Sequence, residues 1–157
     1  IIKKLFQEEL MKRKLLILAS IVIFFQAGLS NINFEVWNKS REELVNSNIT
    51  AEEAYEKLIN AGSIGYDFND VYLNVILKEK NSEELLEKVF DNSKSNVGKV
   101  VSLQGMYRVN NIKYQKLKKK LRGKVNLFHG CYYVKEDAKR YLTGIEPYLE
   151  SQTKMQD

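Results

Sequence analysis

An apolar pattern in Ser63 to Arg122 restricts this chain to helices more firmly than any other part of it, because the pattern returns after 32 positions, with Ser95 falling on Ser63. Phe68 then falls on Val100, Val71 on Leu103, Val75 on Tyr107, Leu85 on Leu117 and Val89 on Leu121. Each copy reads as two helices joined by a short polar turn, and a period near this length is that of helix-turn-helix repeats. Charges do not repeat, and Tyr72 falls on Gln104 and Phe90 on Arg122. Two unrelated amphipathic helix pairs of similar length would give the same apolar pattern. Either origin predicts a mainly α fold, with antiparallel helix pairs stacked as a short helical-repeat-like bundle.

Local signals bracket these helices independently. Thr50-Ala51-Glu52-Glu53 has the spacing of a capping box, in which the threonine oxygen accepts from the amide three residues on and the glutamate reaches back. Ala54, Tyr55, Leu58 and Ile59 then share one face, and Gly62 is placed to end that helix in a left-handed conformation. From Ser63 a helix is expected to about Lys78, with Phe68, Val71, Tyr72, Val75 and Ile76 at helical spacing. Asn81-Ser82-Glu83-Glu84 offers a second capping box before Leu85, Leu86, Val89 and Phe90. A helix from Ser95 carries Gly98 and Gly105, each costing about 1 kcal/mol relative to alanine; small residues there predict a neighbour lying directly on that surface. Another helix runs from about Asn111 to Arg122 and closes at Gly123. Past Gly123 the period changes. Val125, Leu127, Phe128, Tyr132, Tyr133 and Val134 favour a short extended segment over 124–134, a hairpin turning at His129-Gly130. A last helix is expected from Lys135, interrupted at Gly144 or Pro147.

Upstream, Lys12-Arg13-Lys14 precedes an apolar run from Leu15 to Phe25 and small or turn-prone residues from Ala27 to Ser30. A basic head, a short apolar run and a small-residue exit make a secretory signal peptide over residues 11–30, cut after Ser30 or near Ala27-Gly28. The run is shorter than the roughly 20 apolar residues of a comfortable span; a retained inner-membrane anchor through residues 15–25 is the alternative. No cysteine stands at either exit for lipid attachment. Gln7-Glu8-Glu9 can be encoded by a purine-rich run like a bacterial ribosome-binding site, so translation is expected to open at Met11, with 1–10 a mis-assigned start. The reading is therefore a bacterial, exported protein, periplasmic or secreted. Its single α-helical domain spans 31–150, opening on an extended stretch from Asn31 to Trp37 and a polar helix from Ser40 to Asn46, and a frayed tail covers 151–157.

Charge adds less than it first promises. Of 25 Lys and Arg and 20 Asp and Glu, five and two lie in the first thirty residues, which leaves 20 against 18 and a net of +2. What remains is local: Lys113, Lys116, Lys118, Lys119, Lys120, Arg122 and Lys124 form a run without an acid. It is a candidate surface for anionic lipid or polymer, the competing reading being a solvated helix face. Nucleic acid is not expected as a partner of an exported protein. His129-Gly130-Cys131 is the one place where a nucleophile and a base lie together, a candidate thiol site; a packed, inert Cys131 is the competing reading. One histidine and one cysteine cannot fill a four-ligand metal site, no acidic loop has calcium spacing, and no loop cradles phosphate. No catalytic residue, cofactor or metal is assigned.

The helix-pair pattern, Val97-Gly98-Lys99-Val100-Val101-Ser102-Leu103-Gln104-Gly105-Met106-Tyr107 and the later Gly130-Cys131 resemble small exported bacterial α-helical proteins of uncharacterised function. The likeness covers the last two-thirds of the chain and implies class, not activity. Three functions follow as expectations: a non-catalytic binding or scaffold protein contacting other envelope proteins, a module on anionic lipid or polymer, and a thiol enzyme centred on Cys131.

Overall fold

In the computed structural model the described residues are 36–129 and 132–154, so the leader, the start at Met11 and Cys131 lie outside them. The chain divides into two units, Ile1–Asn46 and Ser47–Asp157. Of the first, residues 36–45 form a helix, α1, in which the Ser40 hydroxyl donates to the Val36 carbonyl at 3.0 Å. Val36 and Trp37 are therefore helical, not part of an extended stretch. Among the described residues no helix is long and apolar enough to cross a membrane.

The second unit opens on α2 (Ala51–Ile59), and the capping box forms in full: Thr50 Oγ1 accepts from the Glu53 amide at 3.2 Å and Glu53 Oε2 accepts from the Thr50 amide at 2.9 Å. Gly62 does not end this helix left-handed. Positive φ falls instead on Gly65 (97°), Gly123 (86°) and Phe68 (50°). The Gly62 and Ser63 amides both donate to Asp67 Oδ2, at 2.9 and 2.8 Å, which holds 62–68 as a loop. Helix α3 (Asn69–Leu77) consequently starts six residues later than its apolar spacing predicts.

Helix α4 (Ser82–Asn92) follows without the second capping box. Asn81 has φ −102° and ψ 28°, away from the extended geometry that aims a cap side chain at the first amides, and Glu84 pairs with Lys88 at 2.8 Å instead. Helix α5 (Asn96–Val109) is capped by Ser95, whose hydroxyl accepts from the Val97 amide and donates to the Ala61 carbonyl at 2.6 Å. Val97, Val100, Val101, Leu103 and Met106 are buried on all sides of it. Helix α6 (Asn111–Lys118), capped by Asn110, ends before Arg122.

Strand β1 (Lys124–His129) pairs antiparallel with β2 (Tyr132–Asp137), Leu127 opposite Val134 and His129 opposite Tyr132. On its other edge β1 takes Ile64 in a parallel bridge, Ile64 N–H to Asn126 O at 2.9 Å and Phe128 N–H to Ile64 O at 2.8 Å. The extended segment thus runs to Asp137, past the expected Val134. Helix α7 (Ala138–Lys154) starts three residues later than Lys135, because cross-strand pairing outcompetes local helical spacing, and Asp137 Oδ1 accepts from the Arg140 amide at 2.8 Å to open it. Neither Gly144 nor Pro147 interrupts it. Pro147 removes one N–H bond, yet Leu142 and Leu149 on either side are buried and carry the helix through to Lys154, so residues 151–154 belong to it.

The result is mainly α with a small antiparallel hairpin, its helices packed on one another about α5. Helices α2, α3, α4, α6 and α7 and strand β1 all pack on α5. The 32-residue offset lays α3 on the later part of α5, and α4 on 114–124, of which only 114–118 lie in α6 and the rest form the turn and the start of β1. Helix α5 reaches back to Asn96, whereas its counterpart Ile64 is bridged to β1 and residues 65–68 lie in the loop.

Candidate functional site

The basic run lies on α6, the turn after it and the first residue of β1, and the fold divides it in two. Lys113 turns to α4, where its ammonium donates to Glu83 Oε1 at 3.0 Å and to Glu87. Those carboxylates, Glu87 first, hold the Lys113 amine above its ordinary value, and the Lys113 ammonium with the Asn110 amide holds Glu83 below its own. Lys118 turns to α7: its Nζ stands 2.7 Å from Glu146 Oε1 and 5.8 Å from the centre of the Tyr114 ring, with the side chain 12% exposed.

Tyr114 completes this cluster. Its ring is fully buried, 5.0 Å edge-on from Tyr107, and its hydroxyl donates to the same Glu146 oxygen at 2.6 Å. Burial first, then the Glu146 acceptor, pushes the phenol well above the ordinary tyrosine value. Burial pushes the Glu146 carboxyl up, but the Lys118 ammonium and the Tyr114 hydroxyl outweigh it and leave the group below the ordinary carboxylate value. The cluster ties α6 to α7 and is neutralised internally.

The other cations face outward. Lys116, Lys119, Lys120, Arg122 and Lys124 are exposed. The Arg122 guanidinium folds back on the end of α6, donating to the carbonyls of Lys119 and Leu121. Lys116 lies in the last turn of α6 and Lys119 and Lys120 in the turn that follows it, where the Lys120 amide donates to the Leu117 carbonyl at 2.9 Å. Gly123 turns the chain at φ 86°, and the Asn96 amide bridges the carbonyls of Arg122 and Lys124 at 2.8 and 3.0 Å, which fixes the backbone between the turn and β1. Among the described residues Lys116, Lys119, Lys120 and Lys124 make no ion pair.

Of the seven cations named from sequence, then, five are exposed and Lys113 and Lys118 are partly buried in ion pairs with α4 and α7. Their acids were not legible within the run, because Glu83, Glu87 and Glu146 reach it only through packing of α4 and α7. Among the described residues no three His, Cys, Asp or Glu side chains gather as a metal site. His129 ends β1, and Cys131 lies outside the described residues, so the candidate thiol pair has no described geometry. Comparison with protein-family models, curated proteins and solved structures gives no match.

Proposed function

We propose that the chain is a non-catalytic binding protein exported to the bacterial envelope, which attaches to an anionic lipid or polymer surface through Lys116, Lys119, Lys120, Arg122 and Lys124. The observation carrying this reading is the division of the run: the two lysines the fold needs are matched by carboxylates, and the outward ones are left to the solvent side. Export rests on the basic head and apolar run of residues 11–30. A lysine near an anionic membrane surface contributes about 1 kcal/mol, so four acting together give binding in a useful range even before any specific contact.

Sedimentation of the protein with vesicles of anionic and of zwitterionic lipid, and with an acidic polymer, tests this. Binding to the anionic surfaces that weakens steeply with salt is expected, since exposed charges are screened over roughly 10 Å at 0.1 M salt. Equal binding to zwitterionic vesicles, or indifference to salt, would sink it.

One observation favours contact with an envelope protein instead. Tyr132 and Tyr133 on β2 are each 63% exposed, and among the described residues β2 is paired along one edge only, the kind of edge that templates another chain. Partner binding that ignores salt and is lost in a Tyr132→Ser, Tyr133→Ser variant would select that reading.

A further inference from the structure

A second place in the fold, away from the lysine run, is a cleft with an unusual cation on its wall. Helices α3, α5 and α7 border a partly open cleft of about 450 Å³, within the size range of small-molecule sites. Its apolar lining includes Leu73 of α3 and Leu149 of α7, both buried, and Tyr141 and Tyr148 of α7 flank it. The Asn74 and Gln104 amides and the Arg108 guanidinium supply the polar groups.

Arg108 is the anomaly. Its Nε is shielded from solvent and has no hydrogen-bond partner, although a buried donor on a charged group is costly to leave unpaired and such groups in native proteins usually have an identifiable role. The two partly buried lysines described above each have a carboxylate: Lys113 has Glu83 and Glu87, and Lys118 has Glu146. Guanidinium presents Nε and one terminal nitrogen as a fork that matches the two oxygens of a carboxylate. Asp70 is the only acid among the described residues that line the cleft, and its charge disfavours ligands with several negative charges.

We infer that this cleft binds a small monocarboxylate with an apolar or aromatic body, its carboxylate forked on Arg108 and its body laid between Leu73 and the α7 tyrosines. Nε is closed off from solvent as the side chain stands, so on this proposal the guanidinium turns toward the cleft when the carboxylate binds. The site is independent of the cationic edge, and either can fail alone.

The test is a titration of the full chain with acetate, benzoate and 4-phenylbutyrate, followed by the amide resonances of α3, α5 and α7. Saturable millimolar shifts confined to the cleft are expected, strongest for 4-phenylbutyrate. The neutral 4-phenylbutanamide should bind at least about tenfold more weakly, as loss of a charge-assisted fork implies. Arg108→Met should abolish the preference for the carboxylate without lowering the melting temperature, because it removes an unpaired donor and keeps the aliphatic stem. Gln104→Glu places a carboxylate one helical turn before Arg108, the favourable i, i+4 orientation, and should compete with the ligand while leaving the fold intact. Equal affinity for acid and amide, unchanged carboxylate affinity in Arg108→Met and Gln104→Glu, or no saturable shift with any of the three acids overturns the inference.

Discussion

Gly98 sits where α5 passes beneath the end of α2, and a Cβ there would run into the backbone carbonyl oxygen of Leu58 and into Ser93 Oγ. Gly105, two turns on, faces the methyl groups of Leu86 and Leu73, at 2.7 and 2.8 Å from where its Cβ would be. The close approach read from these two glycines is therefore what the fold uses them for. Gly144 is the contrast, with nothing within 4 Å of its Cβ position. Gly98→Ala is expected to destabilise by roughly 1–3 kcal/mol, the cost of overpacking against an immovable backbone, and Gly144→Ala to stabilise by up to about 1 kcal/mol through helix propensity. Urea unfolding of the two variants checks both signs. A glycine's role was legible where it followed from crowding along one helix, as at Gly98. It was not legible at Gly62, because the turn there is set by the Asp67 carboxylate rather than by a left-handed glycine.

Among the elements, α6 shows how charge and packing divide the work. Lys113 fixes it to α4, and Tyr114 and Lys118 fix it to α7 through one Glu146 oxygen. A carboxyl whose value is lowered on folding stabilises the fold fully above its unfolded value, and that contribution is lost as pH falls through the folded value. Glu146 is such a group. The melting temperature should accordingly fall as the pH drops below the ordinary carboxylate value of 4.5, and Glu146→Gln should start lower at neutral pH and fall less on acidification. An acid limb of unchanged steepness in that variant would count against the cluster. Local cues sufficed for α2, since every atom of its capping box lies within four residues. They failed for α3 and α7. The start of α3 was displaced because Ile64 bonds to Asn126 and Phe128, more than 60 positions away, and the start of α7 because Lys135 to Asp137 pair with β1.

For the molecule as a whole, α5 is the axis on which the stability of the second unit rests. Helices on five sides and β1 pack on it, whereas β2 is exposed along almost its whole length. Amide hydrogen exchange should be slowest at Val100, Val101 and Leu103 and fast throughout β2, since local opening tracks burial; comparable rates in both would refute a core centred on α5. The helical class was visible in the apolar spacing, and so was the existence of a basic run. Which cations the fold consumes was not, because the opposing acids come from two other helices, α4 and α7, brought up only in the folded chain, and Arg108 gave no signal as one of two cations in a largely apolar helix.

That partition of the basic run can be measured in a single comparison, the affinity for anionic vesicles of two variants against the unmodified chain. Replacing Lys116, Lys119, Lys120 and Lys124 by glutamine should lower affinity by roughly two to three orders of magnitude at low salt and leave the melting temperature unchanged. Replacing Lys113 and Lys118 by glutamine should lower the melting temperature and, while the protein remains folded, weaken binding far less. Equal losses of affinity in the two variants, or none in the first, would contradict the assignment of the outward lysines to an anionic surface.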